Sequence, residues 1–341
     1  MSAKPIVSIL IPCYNVASTL NQALESIICQ ALQDFEVILV DDGSSDDTPE
    51  ILREWARRDE RMQIYTQPHA GIIAALNLGL KHCRADYIAR MDCDDLAHPQ
   101  RLECQVGFLE ANPDVALVSC LVEGYPPEQV REGFRVYIEW LNSLVEDEDI
   151  RREIFVESPF AHPSVMLRKT WLEKVGGYQE HGWAEDYDLW LRMYLNGARF
   201  AKLNRVLLSW RESPARLTRT DPRYSVENFI RAKAHYLSRG PLAGRDGVII
   251  WGAGMMGRRL SKHLARQRIP LVAFVDIDPA KIGRTRRGLP VISPEALPGL
   301  WNCYKNPALL AAVGSRGARQ LIRRRLESIG LHEGSDWWST A

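Results

Sequence analysis

The feature that most constrains this chain is the regular alternation, over its first 95 residues, of short apolar runs with longer segments of helical spacing. Ile6 to Ile11, Phe35 to Val40, Met62 to Tyr65 and Tyr87 to Met91 read as buried strands. Between them, Ser18 to Gln30 places Leu20, Ala23, Leu24, Ile27 and Ile28 on one helical face. Thr48-Pro49-Glu50 opens a second helix with a cap residue and a proline in the first turn, and Gly71 to His82 forms a third. Strands that alternate with helices predict a parallel, doubly wound sheet. Such sheets bind ligands at the carboxyl ends of their strands. Two acidic clusters, Asp41-Asp42 and Asp92 to Asp95, fall at those ends.

The pattern changes downstream. Gly124-Tyr-Pro-Pro interrupts it, and Phe134 to Val156 is a charged amphipathic stretch, so residues 121–160 read as a helical insertion on the active-site side. Pro241 to Gly247 reads as a linker. A second alternation follows, with strands at Val248–Trp251, Leu271–Val275 and Ala308–Val313 and helices at Met255–Arg266 and Ala318–Ser328. The expected organisation is therefore a domain over 1–240 and a smaller Rossmann-like α/β domain over 241–341.

Formal net charge is zero, which gives no argument for nucleic-acid binding. The charge is unevenly spread: residues 241–341 hold 16 Lys+Arg against 7 Asp+Glu, a net of +9, and the remainder carries −9. Seven cysteines form no Cys-x-x-Cys pair and no zinc spacing, which reads as reduced thiols in a cytoplasmic protein. MSAKPIVSILIPC reads as a first strand rather than a signal peptide, and no apolar run reaches the length of a membrane span. Peripheral contact at the inner face of a membrane stays open.

Asp92-Cys93-Asp94-Asp95 can converge two or more carboxylates on one point, which suits a hard cation such as Mg²⁺ or Mn²⁺. Read alone, the spacing is more often a solvated turn than a metal site. Asp41 can accept from a base N–H or a ribose hydroxyl, with Gly43 allowing the tight turn beside it. Pro12, Tyr14 and Asn15 end the first strand, where Tyr14 can stack on a base. Glu185 and Asp186 stand among aromatic residues, where a partly desolvated carboxyl can act as a general base.

In order, SILIPCYN, DDGSSDDT, ARMDCDD, HPSVMLRK and GGYQEHGWAEDYDLWLR resemble the inverting GT-A glycosyltransferases of family 2, from about Val7 to about Arg219. The resemblance implies a GT-A domain that moves a sugar from a nucleoside-diphosphate sugar, most commonly a UDP-sugar, to a hydroxyl acceptor in surface polysaccharide or glycoconjugate synthesis. The acceptor would be a glycan or a lipid-linked glycan. It implies that Pro12, Tyr14, Asn15 and Asp41 hold the nucleotide, that Asp92 contacts ribose or metal, and that Asp94 ligates the metal. Asp186 would be the catalytic base, with Glu185 beside it. His162 and Trp183 would lie on the acceptor side, and Arg211 near the diphosphate. Many relatives carry a His in the segment that here reads Leu208-Ser-Trp-Arg-Glu-Ser-Pro-Ala-Arg. Ser213 stands in its place and leaves the third metal ligand open.

In the second domain, Gly252-Ala-Gly254-Met-Met-Gly257 follows a predicted strand and opens a helix, with Asp276 at the end of the next strand. This is the context of a nucleotide-binding turn with an acid for ribose. It resembles the small nucleotide-binding domains attached to sugar-modifying enzymes. Gly314-Ser315-Arg316-Gly317 is a second candidate phosphate turn. Two other readings remain from the sequence: a non-catalytic nucleotide-sugar sensor or scaffold, and a bifunctional enzyme whose C-terminal domain performs redox chemistry.

Overall fold

The computed structural model describes residues 4–214, 216–315 and 317–341. The chain divides into two compact units. The first holds the residues up to Ile150, Pro159–His181 and Glu185–Thr220; the second holds Arg151–Ser158, Gly182–Ala184 and Asp221–Ala341.

The first unit is built on eight strands: β1 (Val7–Cys13), β2 (Phe35–Asp41), β3 (Met62–Thr66), β4 (Tyr87–Arg90), β5 (Leu96–Ala97), β6 (Val115–Tyr125), β7 (Met166–Arg168) and β8 (Arg199–Arg211). Their order is β3-β2-β1-β4-β7-β6-β8-β5. The first four pair in parallel, and the helices Ala17–Ile28, Thr48–Arg58 and Ile72–His82 make the crossovers. β1 and β2 are buried almost throughout, which is why they read as continuous apolar runs: parallel strands are covered on both faces. Gly79 sets how closely the third helix approaches them. A Cβ there would stand 2.2 Å from Leu10 Cδ1.

The sheet is mixed rather than wholly parallel. β7 runs antiparallel to both β4 and β6. β5 pairs antiparallel with β8 through Leu96↔Ser209 and Ala97↔Leu208. The chain thus leaves β4 in mid-sheet, passes through Asp92 to Asp95, and reaches the far edge of the sheet at β5.

The segment after residue 120 differs from its sequence reading. Gly124 does not end the strand, because β6 stays paired with β8 as far as Tyr125↔Arg211. The amphipathic stretch is two helices, Glu132–Asn142 and Asp147–Glu153. The first is no plain solvated helix, since Phe134, Tyr137 and Trp140 pack on the core of the first unit.

The second unit carries β9 (Gly247–Trp251), β10 (Leu271–Val275), β11 (Thr285–Arg286), β12 (Leu289–Ile292), β13 (Pro307–Ala311) and β14 (Trp337–Ser339), ordered β11-β12-β10-β9-β13-β14. All but β11 are parallel. Its first strand is central, and the chain builds outward on one side before crossing to the other. The helix Val226–Arg239 clusters with this unit. Glu227 on that helix accepts from His263 at 2.8 Å and from Lys262 at 3.3 Å. Among the described residues, no helix is long and apolar enough to cross a membrane.

Lys202 on β8 is buried, and its ammonium donates to the carbonyls of Leu141 and Pro159. Burial pushes it down to about 7, whereas an unfolded lysine titrates near ~10.4. Between those values the unfolded chain binds the extra proton, so this group's contribution to stability is complete at high pH and is lost as pH falls through about 7. Lys202→Met is expected to flatten the rise in stability between roughly pH 7 and 9, measured as urea midpoints of variant and parent at each pH.

Candidate active site

The acidic turn leaves the end of β4 and brings carboxylate oxygens of Asp92, Asp94 and Asp95 within 4.8 Å of one another. Crowding and burial raise their proton affinity. Burial first, and Asp92 second, push Asp94 up to about 6. Burial, Asp94 and Asp92 hold Asp95 well above the usual carboxylate range. Asp95 Oδ1 accepts the Arg211 backbone N–H at 2.7 Å, while its buried Oδ2 has no hydrogen-bond partner among the described residues. Arg211 Nε donates to the Asp94 carbonyl at 2.5 Å, and its Nη2 donates to Gln22 at 2.9 Å. Arg211, the residue that the sequence reading set near the diphosphate, thus braces the acidic turn through its guanidinium. Arg216 lies over Phe134 and Trp210, 4.6 and 4.4 Å from their ring centres, and its charge acts on Asp94 and Asp95. Glu212, buried, pairs with both Arg216 and Arg219.

Arg90 was not singled out from the sequence. It is fully buried at the end of β4 and forms an ion pair with Asp92. Burial opposes its charge, but the Asp92 carboxylate outweighs it and holds the guanidinium above its ordinary value. Tyr178 and Glu185 act on the same guanidinium. A signal existed: Arg90 and Asp92 stand two apart at the end of a strand, a spacing that puts side chains on one face.

Glu185 and Asp186 open the helix Glu185–Leu195. Glu185 is buried, with its Oε1 3.9 Å from His162 Nδ1. His162 Nε2 lies 2.8 Å from the Tyr178 hydroxyl. Burial, and then Arg90, hold His162 well below its ordinary value, so it stays neutral. Asp186 is only partly buried. The pair is therefore one enclosed carboxyl and one accessible carboxyl. Arg192 fixes the helix by pairing with Asp188 at 2.7 Å and donating to the Val175 carbonyl. Trp183 belongs to the second unit, where it packs against His235 and Tyr236.

The turns after β1, β2 and β3 are stitched together. Tyr14 is 45% exposed and stacks on His69 with ring centres 4.0 Å apart. Asn15, at φ +51°, donates its N–H to Ser44 Oγ at 3.0 Å and accepts the Ser45 N–H at 2.8 Å. Pro12 lies in β1 just ahead of them. Asp41 Oδ1 accepts the Ser44 N–H at 3.1 Å, closing its own turn. Asp42 accepts from the Ala70 and Gly71 N–H groups at 2.9 and 2.8 Å and pairs with His69. Gly43 has φ +75°, and a Cβ there would meet His69 N at 2.7 Å. His69, which the sequence reading did not single out, joins Asp42 in holding these turns together.

In the second unit, Gly252 takes φ +116°, and a Cβ on Gly257 would fall 1.9 Å from the Gly252 carbonyl. Gly254 faces open space. Asp276 was read as a ribose ligand. In the structure its carboxylate braces the turn, accepting from Ala253 N–H at 2.9 Å and Asp278 N–H at 3.0 Å and pairing with Lys281 at 3.2 Å. Of the second candidate turn, Arg316 lies outside the described residues.

The sequence profile of Glycosyl transferase family 2 matches residues 8–176. The amylovoran biosynthesis glycosyltransferase AmsE of Erwinia amylovora is 33% identical over 207 residues, covering 60% of this chain and 75% of AmsE. An Escherichia coli UDP-Gal:alpha-D-GlcNAc-diphosphoundecaprenol beta-1,3-galactosyltransferase is 30% identical over 232 residues, covering 67% of this chain and 82% of that enzyme. Among solved structures, S. aureus TarS 1-349 in complex with UDP-GlcNAc matches with a TM-score of 0.56 at 18% identity, over 76% of this chain and 72% of that one. The first unit thus has a GT-A-like fold, and a smaller sheet domain follows it.

Arg90→Met is expected to strand Asp92 beside two other acids, Asp94 and Asp95, and to cost about 3 kcal/mol. Arg90→Met combined with Asp92→Asn should recover at least ~1 kcal/mol of that. Urea unfolding of the four proteins in the cycle reads the coupling; additive losses would mean that the pair does not interact.

Proposed function

Because the chain belongs to glycosyl transferase family 2, we propose that this glycosyltransferase moves a sugar from a nucleoside-diphosphate sugar, with a UDP-sugar as the first candidate, to a hydroxyl of a glycan or lipid-linked glycan, with inversion. The observation that carries the reading is that one unit holds both the three-carboxylate turn and the Glu185-Asp186 pair. The E. coli relative's name specifies a UDP-sugar and a diphosphoundecaprenol-linked acceptor, and AmsE is named for polysaccharide biosynthesis. Both support a role in polysaccharide or glycoconjugate synthesis; peripheral contact with the membrane that carries a lipid-linked acceptor is part of the same proposal.

The donor set fits a divalent cation, Mn²⁺ or Mg²⁺. It is all hard oxygen, and Asp95 Oδ2 is buried without a hydrogen-bond partner among the described residues. Asp94, with Asp92 and Asp95 Oδ2, would hold the ion, which when bound supplies Lewis-acid stabilisation to charge developing on the leaving diphosphate. Tyr14, exposed and backed by His69, offers a face for the base. The turns carrying Pro12, Asn15 and Asp41 form the wall around it. Asp92, anchored through Arg90, is shared between ribose and cation. Asp186, the accessible member of its pair, takes the proton from the acceptor hydroxyl as that oxygen attacks the anomeric carbon. Glu185 and His162 set the position of that helix start. A single displacement needs no nucleophile on the protein.

Asp94→Ala or Asp186→Asn is expected to lower transfer by on the order of 10³-fold while leaving the thermal transition cooperative. Normal turnover by either variant overturns the reading.

We further propose that the turn Gly252 to Gly257 seats a nucleotide or nucleotide sugar. It lies at the end of β9, where the strand order reverses, and Gly254 leaves open space for a phosphate. Gly254→Asp would put negative charge there without backbone strain. In the full-length protein it is expected to halve the number of UDP-sugar molecules bound at saturation in equilibrium dialysis. An unchanged stoichiometry removes the second site.

A further inference from the structure

Two thiols in the first unit play no part in the displacement. Cys13 is the last residue of β1, and Cys93 stands between Asp92 and Asp94. Their Sγ atoms are 2.9 Å apart, and the side chains are 1% and 3% exposed. Strand register explains the proximity. β1 and β4 pair in parallel with Leu10 opposite Arg90, and the same offset of 80 residues brings Cys13 opposite Cys93. Neighbouring strands lie about 4.8 Å apart, inside the span that a disulfide bridges. The remaining polar contacts of the two thiols are weak. Cys93 donates to the Pro12 carbonyl at 3.1 Å, and Cys13 to the Ile11 carbonyl at 3.8 Å. All seven cysteines are free.

We propose that Cys13 and Cys93 are a reversible oxidation site, joined into an intramolecular disulfide by a peroxide, which impairs binding of the nucleotide and cation. One sulfur attacks a peroxide oxygen, the O–O bond breaks, and a sulfenic acid and water form. The second sulfur then attacks the sulfenic sulfur, forming the S–S bond and releasing a second water. Two thiols are oxidised and one peroxide is reduced to two waters. Proximity favours this second step over reaction with an outside thiol.

The consequence follows from where the residues sit. A disulfide is about 2.05 Å long, so the two sulfurs must close by roughly 0.9 Å. Cys13 directly precedes Tyr14 and Asn15, and Cys93 lies inside the metal turn. Closing the gap pulls the base-side turn and the metal turn against each other. A misplacement of about 1 Å at such a site costs on the order of 100-fold. The effect on binding rests on the donor site proposed above; the bond itself does not.

The test uses the full chain carrying Cys29→Ser and Cys303→Ser, which removes the two exposed thiols. The protein is treated with hydrogen peroxide, alkylated and digested without reductant. The expected result is a peptide pair joining residues 13 and 93 that disappears on reduction with dithiothreitol. Affinity for UDP with Mn²⁺, read by thermal shift, should fall at least about tenfold on oxidation and return on reduction. Adding Cys13→Ala should abolish both the cross-link and the response of binding to peroxide. Absence of the 13–93 peptide after full oxidation overturns the proposal, as does a cross-link that leaves UDP binding unchanged. If the reduced protein binds no UDP, the donor reading fails instead, and the peptide map alone decides the disulfide.

Discussion

Three carboxylates within 4.8 Å of one another, mostly shielded from water, repel each other strongly, and the first unit is arranged around holding them. The counter-charges come from two directions. Arg90 reaches Asp92 from the end of β4. Arg211, at the end of β8, gives Asp95 a backbone N–H and Asp94 a guanidinium bond, and Arg216 follows it with a further positive charge. β4 and β8 are not neighbours; β7 and β6 stand between them. The short strand β5 makes the connection, because it follows the acidic turn directly and pairs with β8. The antiparallel β5–β8 pairing is thus what brings Arg211 to the acidic turn, while Arg90 comes from β4 itself.

Much of this arrangement was legible in the sequence. The parallel strands were, because burial on both faces leaves an unbroken apolar run. The acidic turns were, because they follow those runs directly. The partnership of acids with cations was not, since Arg211 meets Asp94 and Asp95 across more than 110 intervening residues. Asp41 and Asp42 look equivalent in sequence, yet Asp42 ties down Ala70, Gly71 and His69 while Asp41 closes its own turn. β12 and β14 escaped notice because one is four residues with a proline and the other is three residues. Residues 226–239 fell inside the 1–240 domain with no element assigned to them; they form a helix whose Glu227 holds Lys262 and His263 of the second unit. Asp276 stands where a ribose ligand is expected, and its oxygens support the glycine turn itself.

The substitution of Ser213 for an expected histidine bears on how the cation site would work. Nothing in this stretch supplies an imidazole, and its neighbours are committed elsewhere: Arg211 to the turn, Glu212 to Arg216 and Arg219. Asp95 Oδ2 is buried without a hydrogen-bond partner among the described residues, so on the proposed reading the protein's share of the site comes from Asp92, Asp94 and Asp95 of one turn. Ligands confined to one turn cover one side of an ion. Arg90 and Arg216 offset part of their negative charge. On the proposed reading, the other side falls to water and to the diphosphate of the donor, as is usual for Mg²⁺ and similar ions. Cation and donor would then bind as a pair, each raising the affinity for the other by the same factor. An enclosed site with a protein ligand on the far side could load its ion first. A one-sided carboxylate turn gains most of its affinity once the diphosphate arrives, so the ion is held most firmly where charge develops on the leaving group.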